Sequence, residues 1–197
     1  MKKTNYSLEE LINKNKGIIT FEQVKRHNIL YYEIQTMLKD GMLVKECSGI
    51  YHKPKIYVDE YFMLQYRYPK GIYSLDTALW LHGLSLTVPS KPIMSFLYGT
   101  NTKLIKENGI KPVVLRKNYE EGIINIKRHG NQIINIYEIE RTLVECLRPI
   151  YRIDIQIITT AFKMYAQEHK INYIKLQMYA KMFKVESKVR SYLEVLD

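Results

Sequence analysis

Cysteine is scarce in this 197-residue sequence: only Cys47 and Cys146 occur, about a hundred positions apart. Such a pair supplies neither a disulfide framework nor a metal-ligand motif, and a lone cysteine in a strand or helix is usually a small buried hydrophobe. Long apolar runs are missing too. None approaches the roughly 18 residues that a membrane-crossing helix needs, and no signal peptide is recognisable, so a soluble cytoplasmic chain without a membrane partner is expected. There is no HExxH helix, no Gly-rich phosphate loop and no nucleophile elbow. His27, His52, His129 and His169 show no ligand spacing with one another or with acidic residues. Metal and nucleotide chemistry are therefore unsupported, and the expectation is a non-enzyme without cofactor. Internal repeats and low-complexity linkers are absent as well.

What is present is enough apolar material, 46% of residues, to bury a core as one large domain or two small ones. Charged residues make up 25%, which argues against wholesale disorder. Thirty Lys and Arg against 20 Asp and Glu give a net charge of +10. That excess favours polyanions: nucleic acid first, then an acidic protein or an anionic surface. It is not concentrated at the front, because residues 1–60 hold ten basic and eight acidic side chains. Seventeen tyrosines add rings that pack on a core while their hydroxyls reach water or phosphate.

Along the chain, Ser7 with Glu10 and Thr20 with Gln23 both fit the capping-box pattern that opens a helix. They predict helices to about Lys14, stopped by Gly17, and over Phe21–His27, with Phe21 and Val24 on one side. A third helix is predicted from Leu30 to Asp40, where Leu30, Ile34, Met37 and Leu38 recur at the spacing of a buried stripe. Gly41 ends it. Met42–Glu46 and Ile50–Lys53 read as strands around a Ser48-Gly49 turn. Three helices and a hairpin in about sixty residues is the order of a winged helix-turn-helix. A further helix is expected over Asp59–Tyr66, and Pro69-Lys70-Gly71 is the best boundary, dividing residues 1–70 from 71–197.

Beyond it, Ser74–His82 reads as a helix, and 92–98, 112–116, 123–127 and 133–137 read as strands, the last two forming a hairpin through Arg128-His129-Gly130-Asn131. Helices then fill 138–147, 155–168, 173–183 and 186–196. The fold class expected is α+β: an N-terminal winged helix-turn-helix, then an α+β domain ending in a helical bundle.

Turning the stripe of the third helix inward sends Tyr31, Tyr32, Gln35, Thr36 and Lys39 outward. Those types suit a major groove: Gln holds adenine bidentately, Thr meets a thymine methyl, and Lys and Tyr reach phosphates or base edges. Lys25 and Arg26 sit where the preceding helix would cross the backbone. The hairpin offers Lys45, Ser48, His52 and Lys53, and Lys2 and Lys3 form a candidate arm. Double-stranded DNA is thus the expected partner. Against it stand the acidic Glu33 near the same face, and the fact that winged helices also bind proteins.

The segments "GIITFEQVKRHNI" and "MLKDGMLVKECSGIY", then "YSLDTALWLHGLS" followed by Pro89, then "YEIERTLVECLR", together resemble the AbiEi-family antitoxins of type IV abortive-infection toxin–antitoxin systems. The resemblance covers most of the chain, and its final fifty residues match in helical character alone. It implies a repressor that binds inverted repeats in its own promoter. It also implies that the second domain counteracts a nucleotidyltransferase toxin, without a required stable complex.

Other polar groups have plainer readings. Ser74 is expected to cap a helix, Thr77 to lie in its first turn, and His82 to favour its C-terminus. Glu140 and Arg141 are expected in a structural ion pair, with Glu138 or Glu145 as the partner of Arg141. Arg116, Lys117, Lys127 and Arg128 are either strand-edge charges or a face for nucleic acid or an acidic partner. The competing functions are a ligand-responsive winged-helix regulator with a pocket in the α+β domain, an enzyme with clustered carboxylates or metal, and a protein-binding adaptor.

Overall fold

The computed structural model describes residues 6–196, so Lys2 and Lys3 lie outside the described residues. The chain divides into two compact units: residues 1–69 with 126–134, and residues 70–125 with 135–197. The break after Pro69 falls beside the boundary read from sequence, but the segment 126–134 joins the first unit, an arrangement that no single cut in the chain expresses.

The first unit runs α1 (Leu8–Lys14), β1 (Ile18–Thr20), α2 (Phe21–Arg26), α3 (Tyr31–Lys39), β2 (Val44–Cys47), β3 (Ile50–His52) and α4 (Glu60–Arg67). Both capping boxes form: Ser7 and Thr20 accept from the backbone of Glu10 and Gln23, whose side chains return the bond. Between those helices Ile18–Thr20 is a strand. Its three residues pair antiparallel with β3, giving the sheet order β1-β3-β2. Ile12, Ile19, Val24, Ile34, Met37 and Leu43 form the core beneath it. Gly41, at φ +72°, supplies the left-handed residue that closes α3.

One member of the expected stripe is misplaced. Leu30 is 61% exposed, because it occupies the cap position before α3 rather than a helical turn facing the core. Ile34 and Met37 carry the inner face instead.

In the second unit, β4 (Ile72–Tyr73), β5 (Ile93–Leu97), β6 (Lys111–Leu115), β7 (Ile123–Lys127) and β8 (Ile133–Tyr137) form one sheet ordered β6-β5-β4-β8-β7. The tip of the β7–β8 hairpin counts with the first unit. β4 pairs antiparallel to β5 and parallel to β8, and β5 runs parallel to β6. Helices α5 (Leu75–Leu81), α6 (Lys103–Glu107), α7 (Ile139–Cys146), α8 (Ile155–Glu168), α9 (Tyr173–Phe183) and α10 (Glu186–Leu196) complete it. Leu79, Leu143, Val144, Phe162 and Leu176 are central to its core. The fold is α+β. No helix among the described residues is long and apolar enough to cross a membrane.

Of the polar residues weighed one by one, Ser74 does other work than its position suggested, while Thr77 lies in the first turn of α5, His82 at its C-cap and Glu145 beside Arg141 as expected. Ser74 holds the cap position of α5 without capping it, and its hydroxyl accepts from Ser95 in the interior at 2.9 Å. Thr77 accepts from the Ile93 amide and so ties α5 to β5. His82 places Nε2 2.8 Å from the Tyr137 carbonyl, and its burial lowers the imidazole pKa. Arg141 is fully buried; it lies 3.5 Å from Glu145, stacks on Tyr137, and donates to the carbonyls of Asn118 and Glu121. Glu138 instead takes Lys175 and the Tyr179 hydroxyl, each at 2.6 Å.

Candidate nucleic-acid interface

Helix α3 is nine residues long and has Ile34 and Met37 buried on one side. A 3.6-residue period then turns Tyr31, Tyr32, Gln35, Thr36 and Lys39 to solvent, and all five are exposed. Thr36 donates its hydroxyl to the Tyr32 carbonyl at 3.1 Å, so its methyl is the group left to meet a partner. Glu33 is half-buried, and its carboxylate accepts from the Leu30 amide at 3.3 Å. That bond engages the acidic group near the start of the helix, where the dipole favours it, and so blunts the expected repulsion of phosphate.

The elements around α3 are joined by specific contacts. Asn28, at φ +57°, makes the left-handed turn between α2 and α3. The ring of Phe21 meets Tyr31 edge-on at 5.7 Å, and the Phe21 amide donates to the Gly49 carbonyl of the β2–β3 turn. The Tyr51 hydroxyl has its pKa pushed up to about 12, by burial first and by its interaction with Tyr31 second. The start of α2, the start of α3 and the hairpin turn are therefore neighbours. Gly49 has φ +84°, and a Cβ there would sit 2.6 Å from the Tyr66 hydroxyl, so the turn needs glycine on both counts.

Lys25 and Arg26, in the last turn of α2, are exposed, as are Lys45 and Ser48 on the hairpin. Two predicted contacts need correction. His52 is buried: its Nδ1 lies 2.8 Å from the Lys53 carbonyl and its Nε2 3.2 Å from Glu46, because its strand is the middle one of the sheet. Lys53 is half-buried and donates to Asn13 at 2.7 Å, so its charge is turned back onto its own unit. Sequence reasoning missed Phe21. It was placed on one side of its helix with Val24, yet Val24 is buried and Phe21 is 41% exposed, and its place immediately after the Thr20 cap was the available signal. Of the basic turn residues, Arg128 is committed elsewhere in the first unit. Its Nε lies 3.0 Å from the buried carboxylate of Asp59, which also caps α4 through the Tyr61 amide. Among the described residues no group of three or more His, Cys, Asp or Glu is arranged to hold a metal ion.

The arrangement presents an exposed amphipathic helix flanked by a helix end and a hairpin. No protein-family profile and no curated protein matches the chain. Among solved structures, the RV2827C protein of Mycobacterium tuberculosis shares the fold with a TM-score of 0.55 over 92% of this chain and 74% of that one, at 10% identity. A likeness at that identity speaks to the α+β fold alone.

Proposed function

We propose that the chain is a double-stranded-DNA-binding repressor whose first unit is a winged helix-turn-helix and whose helix α3 reads a major groove. The observation that carries the reading is the outward set Tyr31, Tyr32, Gln35, Thr36 and Lys39, exposed on a helix whose opposite side is buried. Support also comes from the helix–strand order, the exposed Lys25, Arg26 and Lys45 around it, and the net charge of +10. Such a protein binds two half-sites about one helical turn apart, as a dimer or as paired monomers. The resemblance to AbiEi-family antitoxins adds a cytoplasmic role: repression of its own toxin–antitoxin promoter, and relief of a nucleotidyltransferase toxin by the second unit.

The test is a gel shift with the DNA directly upstream of its own gene. A shift that survives excess unrelated DNA and is lost in Gln35→Ala/Lys39→Ala supports the reading. Equal retention of unrelated and upstream DNA would defeat it. Co-expression with a nucleotidyltransferase encoded by the adjacent gene tests the antitoxin role: growth restored by the full chain is the expected result.

A further inference from the structure

The second unit holds a cleft of about 1060 Å³ that operator binding does not use. Six cationic side chains line it: Lys111, Arg116, Lys117, Arg148, Arg152 and Lys184. No Asp or Glu is among the described residues of its lining. Two of the six are answered nearby, Arg148 by Glu145 at 3.6 Å and Lys111 by the field of Asp76. Arg116, Lys117, Arg152 and Lys184 enter no ion pair among the described residues, and Arg116 lies over the Tyr98 ring instead. The rest of the surface is apolar or aromatic, with Val113, Ile150, Tyr151, Met182 and Phe183.

The backbone around the cleft gives a second, independent observation. Non-glycine residues at positive φ are uncommon and cost on the order of 1–3 kcal/mol each. In the second unit there are four among the described residues, Leu75, Asn118, Arg152 and Lys184, and all four line this cleft. Arg152 and Lys184 occupy the C-cap positions of a short 3-10 turn and of α9, at φ +52° and +57°, where glycine is the relaxed choice. The fold keeps a cation at each of these left-handed positions.

We propose that this cleft binds a nucleotide carrying two or more phosphates, with the phosphates among Arg116, Lys117, Arg152 and Lys184 and the base against the apolar wall. The size lies near the upper end of small-ligand pockets. Cations without carboxylates select a phosphate chain bound directly rather than through a divalent metal. An extended acidic peptide fits less well. β6 is an edge strand, but Pro112 has no amide hydrogen, so a peptide added along it would find a broken ladder. Arg116 and Lys117 were the part of the site that the sequence offered, as a candidate face for nucleic acid or an acidic partner; Arg152 and Lys184 were not, because segments 111–118, 148–152 and 182–184 form no phosphate-loop motif.

The experiment is calorimetric titration of the full chain with ATP in EDTA at low salt, beside Lys184→Gly and Arg152→Gly. Each variant removes a charge while relaxing a left-handed residue, so its melting temperature should hold or rise. ATP affinity should fall on the order of tenfold in each. Pyrophosphate should bind the wild type more weakly than ATP by a similar factor. Absent ATP binding, or ATP binding unchanged in both variants, overturns the proposal. So does pyrophosphate binding as tightly as ATP, which marks a simple anion site. A single-stranded oligonucleotide that binds, and is lost in the glycine variants while ATP fails to bind, would make the cleft a nucleic-acid track instead.

Discussion

Gln35 sits in the middle of the exposed side of α3, and it is the group there best suited to bidentate adenine recognition. Replacing it by alanine should cost about 1–3 kcal/mol at one base pair and leave other positions unaffected. Competition across a panel of singly mutated operators measures this, and unchanged discrimination would remove Gln35 as a reader. Arg141 belongs to the opposite category, a charge with no solvent at all. Its guanidinium is sandwiched against Tyr137, and it holds the 118–121 connection by two carbonyls as well as facing Glu145. Burial raises the pKa of Glu145, and Arg141 and then Arg148 pull it back. Arg141→Met should therefore destabilise the protein by about 3–5 kcal/mol in chemical denaturation, since it leaves a buried carboxylate short of a partner. Adding Glu145→Gln should recover part of that loss.

His82 carries the clearest pH signature. Burial lowers its pKa below the free value of 6.5, with a smaller push from His169; the bond to the Tyr137 carbonyl and the charge of Glu140 oppose the shift. The folded chain thus holds this proton less readily than the unfolded one. Its neutral state is harmless above 6.5, and stability falls as pH drops below that value. Denaturation midpoints taken between about pH 7 and 5 should fall less steeply in His82→Gln than in the wild type.

At the scale of elements, the hairpin tip 126–134 is held by a polar clasp within the first unit. The Asp59 carboxylate takes Arg128, and the Asp59 amide donates to the Gln132 side chain at 2.7 Å. Gln132 in turn donates to the carbonyls of Tyr57 and His129. Asp59→Ala removes both the α4 cap and the ion pair, and should cost about 2–3 kcal/mol. Amide exchange at 128–132 should quicken in that variant before exchange in α1–α3 does.

Elements of strong period or with a cap were legible in the sequence. α1 and α2 announced themselves by reciprocal caps, α3 by Ile34 and Met37, and the β7–β8 pair by two alternating runs around a turn. Two-residue β4 and three-residue β1 were not legible, because strands that short acquire their identity from the partners they pair with, β5 and β8 or β3, rather than from their own pattern. The same holds at the candidate interface. The exposure of Tyr31, Tyr32, Gln35, Thr36 and Lys39 followed from helical geometry, whereas the burial of His52 depended on β3 being the central strand, a property of pairing that residue types do not encode.

For the molecule as a whole, the charge should be read through ionic strength. Four phosphate contacts, the number that the exposed Lys25, Arg26, Lys39 and Lys45 can supply, give a slope of roughly −4 in a plot of log affinity against log salt. Filter binding across a salt series checks it. A slope near zero would mean that the charge excess serves some purpose other than DNA. Lys45→Ala should make the slope shallower by about one without altering sequence preference.

Because its last piece is encoded so late, the first unit has an order of assembly imposed on it. During synthesis, at roughly 5–20 residues per second, Asp59 leaves the ribosome several seconds ahead of Arg128 and Gln132. Until residue 134 has emerged, that carboxylate waits without its guanidinium. A nascent chain therefore cannot finish its first unit before much of the second has been made, and premature termination anywhere before the hairpin leaves that unit incomplete from the start.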